Sequence, residues 1–407
     1  MPDAMLPRAR ELDEADPLAD YRDRFLLPDE VIYLDGNSLG ALPRATPKRI
    51  AEVVGTEWGH GLIRSWNSAD WIGLPQRVGG KIAPLIGAAP HEVIACDSVS
   101  VNLFKLISAA LELRPGRNVV LSEPGNFPTD LYMIEGSRAE QRLSDRESLA
   151  GALDGDVALL LLTHAHYKTG AVFDMAALTK AAHDAGALVL WDLSHSGGAL
   201  PVDLRSCGAD FAVGCGYKYL NGGPGAPAYA FVAERHHDAL RQPLSGWMGH
   251  AQPFAFDDAY RPAPGVDRLL CGTPPVIQMT ALEVGVDLVA EMGVERLWAK
   301  SRALSEFFRE CLGELGGETE LELVSPTDPQ ARGSQLSYRH EEAYALSQAL
   351  IARGIIGDFR APDILRLGFA PAYLTFEDIA RAAAALREIL ETGAWDRDEF
   401  KERAAVT

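Results

Sequence analysis

The sequence predicts an α/β fold in which a large domain carries a mostly parallel sheet covered by helices and a smaller α+β domain follows. The main observation is an alternation from residue 118 onward of NVVLSE, VALLLLTHA at 157–165, DMAALTKAAHDAG, ALVLWD at 187–192, DFAVGCG at 210–216 and APAYAFVA at 226–233. Strands that are apolar on both faces, with helices between them, belong to a parallel sheet buried on both sides. Length is the second observation: 407 residues, 47% of them hydrophobic, exceed one ordinary domain and supply two cores. A third is the Pro- and Gly-rich stretch RPAPGVDRLLCGTPP at 261–275, which reads as the end of the larger lobe. The expected division is an N-terminal arm and associated segment at 1–45, a large domain at 46–275 and a small domain at 276–407.

Residues 1–30 read as an acidic, partly helical arm. VIYLDGNSLGALP at 31–43 then passes from a short strand into a turn where Gly36 and Gly40 bracket Asn37 and Ser38. Such a turn is either a plain surface loop or a place where backbone approaches a ligand. PKRIAEVVGTEWGHGLIRSW reads as a helix followed by a loop rich in Trp and Arg. HEVIACDSVSVNLFKLISAALEL reads as a strand, a polar turn and an amphipathic helix. Asp97, Ser98 and Ser100 at that helix start serve either as caps or as a cradle for phosphate, since free N–H groups and the helix dipole favour an anion there. Asp174 can cap the helix ending at Gly186. Beyond 275, the stretch 276–316 reads as one long helix. LELVSP, GSQLSYRH, a helix from 341 closed by Gly354, IIGDFR, DILRLGFA and a last helix capped at Thr375, with Asp378 in capping-box position, complete the small domain.

A formal net charge of −19 argues against nucleic acid and anionic membrane surfaces as partners. No stretch has the pattern of a secretory leader or the length of a membrane span, so a cytoplasmic location is expected. Five cysteines, at 96, 207, 215, 271 and 311, are widely spaced without a C-x-x-C pair, which indicates neither a disulfide framework nor a zinc site. The pairs His164/His166 and His236/His237 lack a third ligand at suitable spacing and read as structural or surface histidines.

The chemistry concentrates in VLWDLSHSGGALPVDLRSCGADFAVGCGYKYLNGGPG at 189–225. An acid, Asp192, stands at the end of one apolar run, and Lys218 follows another. In open sheets, ligands sit beyond the carboxyl ends of the strands. An aldehyde cofactor such as pyridoxal phosphate needs one amine to hold it as a Schiff base and one carboxylate facing its ring nitrogen. Taken alone, Asp192 can also be a strand cap and Lys218 a surface lysine.

LDGNSLG, IRSWN, DSVSVNLFK, NFPTD, WDLSHSGG, GCGYKYLNGGPG, SGWMGH and GTPP occur in this order. Together they resemble the kynureninase family, over about residues 31–375. The resemblance implies the aspartate aminotransferase-like fold (fold type I), pyridoxal 5'-phosphate as cofactor, and a homodimer with its active site at the subunit interface. It further implies a small amino-acid substrate and a place in tryptophan catabolism and the kynurenine pathway that leads toward NAD. Carried over residue by residue, Lys218 becomes the cofactor lysine and general base, and Asp192 the partner of the ring nitrogen. Phe127 stacks on the ring, Asp130 lies near the phenolic oxygen, and His195 orients Asp192. Val99, Ser100, Tyr217 and Trp247 form the phosphate cradle, with Tyr217 also a proton relay. Arg366 grips the substrate α-carboxylate, as a bidentate guanidinium can. Ser38, Trp66, Gly272 and Thr273 line the aryl end, with Thr273 also a cofactor contact and His60 competing with Trp66.

The implied reaction is hydrolysis of L-kynurenine to anthranilate and L-alanine, with 3-hydroxykynurenine as a secondary substrate. Two rivals within the fold are an aminotransferase and a cysteine desulfurase, the latter needing a thiol on a mobile late loop. A third reading is a cofactor-binding protein without turnover. Intact Lys218, Asp192, Tyr217 and Arg366 weigh against it.

Overall fold

The computed structural model describes residues 2–313 and 321–403, with side chains from residue 5. The chain divides into two compact units, one of residues 45–167 and 173–290, the other of 1–44, 168–172 and 291–407.

The first unit is built on a seven-stranded sheet. Its strands are β1 (Val93–Ala95), β2 (Val119–Ser122), β3 (Glu140–Leu143), β4 (Val157–Thr163), β5 (Leu188–Asp192), β6 (Phe211–Gly214) and β7 (Tyr229–Val232), in the spatial order β1-β7-β6-β5-β4-β2-β3. Pairing is parallel from β3 through β6, and β7 is antiparallel to both of its neighbours. The strands expected from the apolar runs are all present. β3 was not foreseen: EQRL is mostly exposed, as an edge strand can be, and carries no apolar alternation.

Both faces of the central strands are covered. Leu103, Leu106, Ile107 and Ala110 of the Val99–Leu113 helix pack against Leu159, Leu161, Leu188, Leu190, Phe211 and Val213. Full burial of each such leucine contributes about 1.5–3 kcal/mol. On the other face, fully buried Trp191 donates its indole N–H to Thr179 Oγ1 at 3.2 Å, and Thr179 belongs to the helix Met175–Asp184. Asp174 caps that helix by accepting from Ala177 N at 2.9 Å.

Two helical expectations need correction. The Trp- and Arg-rich stretch at Arg64 and Trp66 is not simply a loop: after the helix Thr46–Glu52 and a wide π-helical segment, Val53–Gly61, the chain forms a 3₁₀ turn, Leu62–Arg64, and a short helix, Ser65–Ser68. The long helix expected at 276–316 is two helices, Val276–Met292 and Val294–Leu312, and residues 314–316 lie outside the described residues. Gly293 separates them at φ 79°, a left-handed conformation that ends a helix at little cost only in glycine.

The second unit contains a four-stranded antiparallel sheet of β8 (Glu322–Leu323), β9 (Gln335–Arg339), β10 (Asp358–Arg360) and β11 (Ile364–Gly368), in the order β8-β9-β11-β10. Its last long helix, Phe376–Thr392, starts with a capping box in which Thr375 Oγ1 accepts from Asp378 N at 3.0 Å and Thr375 N donates to Asp378 Oδ2 at 3.1 Å. Among the described residues, no helix is long and apolar enough to cross a membrane.

Candidate active site

β4, β5 and β6 end side by side, with Thr163 registered against Asp192 and Asp192 against Val213. Beyond these ends lies a cavity of about 290 Å³ lined by Ser98, Val99, Ser100, Phe127, Asp192, His195, Tyr217 and Lys218, among others. Seven expected site residues, Val99, Ser100, Phe127, Asp192, His195, Tyr217 and Lys218, therefore do meet, although they come from four separate stretches of chain.

Asp192 is held from behind: its Oδ1 accepts from Ser194 N at 2.7 Å. Burial pushes its carboxyl up, while the contacts to Ser194 and the charge of Lys218 act in the opposite direction. A buried carboxylate at the end of a cavity is stabilised by a cation placed against it. Lys218 Nζ lies 2.9 Å from His195 Nε2, and it sits 5.9 Å from the ring centroids of both Phe127 and Tyr217. The amine thus has an imidazole as neighbour and aromatic faces nearby.

At the opposite end, the helix Val99–Leu113 begins. Ser98 caps it, its Oγ accepting from Val101 N at 3.3 Å, so capping and the phosphate cradle are not exclusive alternatives. Ser98 Oγ is committed to the helix, while Val99 and Ser100 line the cavity at the positive end of the helix dipole.

Sequence reasoning missed a buried network behind Phe127. Asn126 Oδ1 accepts from Phe127 N at 2.8 Å, Asn126 Nδ2 donates to Ser122 Oγ at 3.0 Å, and Ser122 Oγ donates to Leu161 O at 2.7 Å. Thr163 Oγ1 lies 2.5 Å from Asn126 Oδ1 and 3.1 Å from Asp130 Oδ2. A hydroxyl has one proton to give. Burial and the neighbouring Asp192 push the Asp130 carboxyl well above its ordinary range, against opposing contacts from Thr163 and Asn126 and the charge of Lys218. The only signal in the sequence was the Asn directly before FPTD; the Thr163 partner is distant in the chain.

The remaining expected residues lie elsewhere. Trp247 is 39% exposed and packs edge-on against Phe254 at 5.7 Å. Trp66 packs edge-on against Trp71 at 5.9 Å, His60 Nδ1 lies 2.7 Å from Gly55 O, and Gly272 and Thr273 are exposed. None of these lines the cavity of this chain. In the other unit, Arg366 on β11 is buried and lies against Asp358 of β10: Nε donates to Oδ1 at 2.8 Å and Nη2 to Oδ2. Ser38 Oγ accepts from Arg366 Nη2 at 2.7 Å and from Arg360 Nη2 at 3.1 Å, and it lies 2.8 Å from Asp358 Oδ2.

The histidine pairs have structural partners. His164 packs edge-on against Trp191, and burial lowers its imidazole to about 4. His236 Nε2 lies 2.7 Å from Asp210 Oδ1, His237 Nε2 is 2.9 Å from Val232 O, and His166 Nε2 is 3.0 Å from Gly125 O.

Residues 297–386 match the family model described as the kynureninase C-terminal domain. The kynureninase of Burkholderia mallei (strain SAVP1) is 50% identical over 410 residues, covering 98% of this chain and 99% of that protein. The chain belongs to the kynureninase family. The kynureninase of Pseudomonas fluorescens is 48% identical over 407 residues, covering 97% of this chain and 98% of its own. The kynureninase fold here is also similar to a cysteine desulfurase from Thermococcus onnurineus NA1, with a TM-score of 0.78 at 19% identity, covering 92% of this chain and 98% of that one. A C-DES mutant with glycine covalently linked to its PLP cofactor gives a TM-score of 0.79 at 18% identity, covering 90% and 99%. The architecture is therefore that of the fold type I pyridoxal-phosphate enzymes. Kynureninases are pyridoxal-phosphate-dependent hydrolases of a carbon–carbon bond, and the cavity fits that cofactor: an amine at Lys218, a buried acid that calls for a cationic ring nitrogen, and a helix start for the phosphate.

Proposed function

We propose that this chain hydrolyses L-kynurenine to anthranilate and L-alanine, with 3-hydroxykynurenine as a secondary substrate. The observation that carries the reading is the meeting of Lys218, Asp192 and the Ser98–Ser100 turn in one cavity. When bound, pyridoxal phosphate supplies an aldehyde for the substrate amine and a ring that takes up the electrons left when a bond to the α carbon breaks.

The protein's part is to hold and to move protons. Asp192, fixed by Ser194 N, keeps a proton on the ring nitrogen. Phe127 would cover a face of the cofactor's ring, and Val99 N–H, Ser100 and the Tyr217 hydroxyl, which line the same cavity, would hold its phosphate. Lys218 Nζ would take the substrate's α proton and supply one as alanine forms, and His195 at 2.9 Å fixes where that amine points. Water adds to the γ carbonyl, the bond between the β and γ carbons breaks, and Tyr217 relays protons to the departing fragments. One water is consumed for each anthranilate and alanine formed. Arg366 is assigned to the substrate α-carboxylate.

Trp247, Gly272, Thr273 and Trp66 are assigned to a site completed by a second copy of the chain in a cytoplasmic homodimer. Their position outside this chain's cavity supports that assignment, as does the exposed apolar surface of Phe254 and Phe256, which are 62% and 78% exposed. The desulfurase alternative lacks a travelling thiol: Cys311 lies inside the helix Val294–Leu312, with its thiol pushed up to about 11 by burial. Incubation with kynurenine is expected to give anthranilate and alanine in equal amounts with no keto acid added. A strict keto-acid requirement would instead indicate transamination.

A further inference from the structure

A second cavity, of about 270 Å³, lies in the first unit and is lined by Leu240, Arg241, Gln242, Ser245, Tyr260, Pro262 and Arg268. Arg268 is 7% exposed. Its guanidinium is anchored on one side by two carbonyls, Nε donating to Ala263 O at 3.0 Å and Nη1 to Leu240 O at 2.8 Å. Arg241, on the rim, donates through Nη1 to Asp238 O at 3.2 Å and to Leu240 O at 2.8 Å. Among the described residues neither arginine has a carboxylate within salt-bridge distance, and Arg268 Nη2 has no hydrogen-bond partner.

This is unusual for a chain with a formal net charge of −19, in which acids are abundant. Burying a guanidinium without a counter-charge costs several kcal/mol. Burial first, and then the charge of Arg241, lower the Arg268 guanidinium from its ordinary value, while Tyr260 and the Asp238 carboxylate, beyond salt-bridge distance, act in the opposite direction. The wall adds hydroxyls. Tyr260 donates to Gly249 O at 2.9 Å and lies against Ser245, and burial keeps its phenol protonated. The Gln242 amide donates to Leu244 O at 3.0 Å and Arg268 O at 3.1 Å, which fixes the loop that carries Arg241.

We propose that this cavity is a binding site for a small oxyanion, a phosphate or a carboxylate, held between the open edge of Arg268 and the guanidinium of Arg241. Such an anion neutralises both arginines and accepts charge-assisted hydrogen bonds from planar donors. None of these side chains has a part in the reaction assigned to Lys218, so the site is separate from the kynurenine chemistry.

The test is calorimetric titration of cofactor-saturated, desalted holoenzyme with inorganic phosphate, and separately with acetate, at constant ionic strength. Phosphate bound at about one per chain and at least tenfold tighter than acetate identifies a phosphate site, and the reverse order identifies a carboxylate site. Arg241→Gln should weaken the preferred anion about tenfold while leaving the melting temperature of the anion-free enzyme unchanged, and Arg268→Met should abolish binding. Absence of saturable binding of either anion to the wild-type holoenzyme, or identical affinity in Arg241→Gln, overturns the proposal. Because Arg241 is exposed, that variant keeps the test decisive even where Arg268→Met fails to fold.

Discussion

Asp358 grips the guanidinium of Arg366 edge-on: Nε donates to one carboxylate oxygen at 2.8 Å and Nη2 to the other, with both side chains buried. The pair connects neighbouring strands of the small sheet, where Asp358 is registered against Arg366 itself. With that edge taken, the acid sets the plane in which the guanidinium can meet anything else. Asp358→Ala leaves a buried cation without its partner, a loss of about 3–5 kcal/mol. Thermal melting should show that drop. In enzyme that remains folded, KM for kynurenine should rise about tenfold, equivalent to ~1.4 kcal/mol, with a smaller change in kcat. An unchanged KM would remove Arg366 from substrate binding.

Asp35 has its carboxyl pushed up to about 7 by burial and then by the charge of Asp358, against opposing contacts from Ser38, Arg366 and Arg360. The folded state therefore holds a proton that the unfolded chain releases near pH 4. Between those values the native state binds more protons, so stability falls as pH rises and the loss is complete above about 7. Asp35→Asn removes this dependence. Urea melts at pH 5 and pH 8 should show the variant gaining on the wild type at the higher pH, and equal differences at both would refute the assignment.

Lys218→Ala should lower kcat by at least about 10²–10⁴-fold, the range for loss of a positioned acid–base group. Added methylamine should restore part of the rate if the missing function is the amine. Stability without cofactor should change little, since the lysine belongs to a cavity wall and not to the packed core.

Gly285 lies on the helix Val276–Met292 against the segment that follows Lys218. A Cβ there would stand 2.1 Å from Leu220 O and 2.9 Å from Asn221 O, both backbone atoms that must move. Gly285→Ala should therefore cost about 1–3 kcal/mol as an overpacked site. It should also weaken cofactor retention on gel filtration, because the displaced segment follows directly on Lys218, the residue proposed to hold the cofactor. Full retention with normal stability would show that the loop yields freely.

How much of this could be read in the chain depends on the range of the signal. Continuous apolar runs revealed β2, β4, β5, β6 and β7, because burial on both faces acts residue by residue. Asp192 and Lys218 were legible since the ends of such strands are where ligands gather. β3 was hidden by its exposure, and the short helical turns at Leu62–Arg64 and Ser65–Ser68 had no local marker distinguishing them from a loop. Gly293 was visible as a letter, but nothing in the letter says that its backbone takes a positive φ and ends a helix there. The Asn126–Thr163–Asp130 network and the hold of Asp358 on Arg366 are contacts at a distance. In the sequence they are only polar residues with no stated partner.

The side-by-side ends of β4, β5 and β6 have a kinetic consequence. Thr163, Asp192 and Val213 are fixed by the ladder itself, in strands whose residues are buried throughout. The carboxylate should therefore stand ready before any ligand arrives, and stripping the cofactor is expected to leave the template standing. Reconstitution becomes a docking event and not a folding one. Its rate should scale with cofactor concentration and be insensitive to how long the stripped protein has been stored.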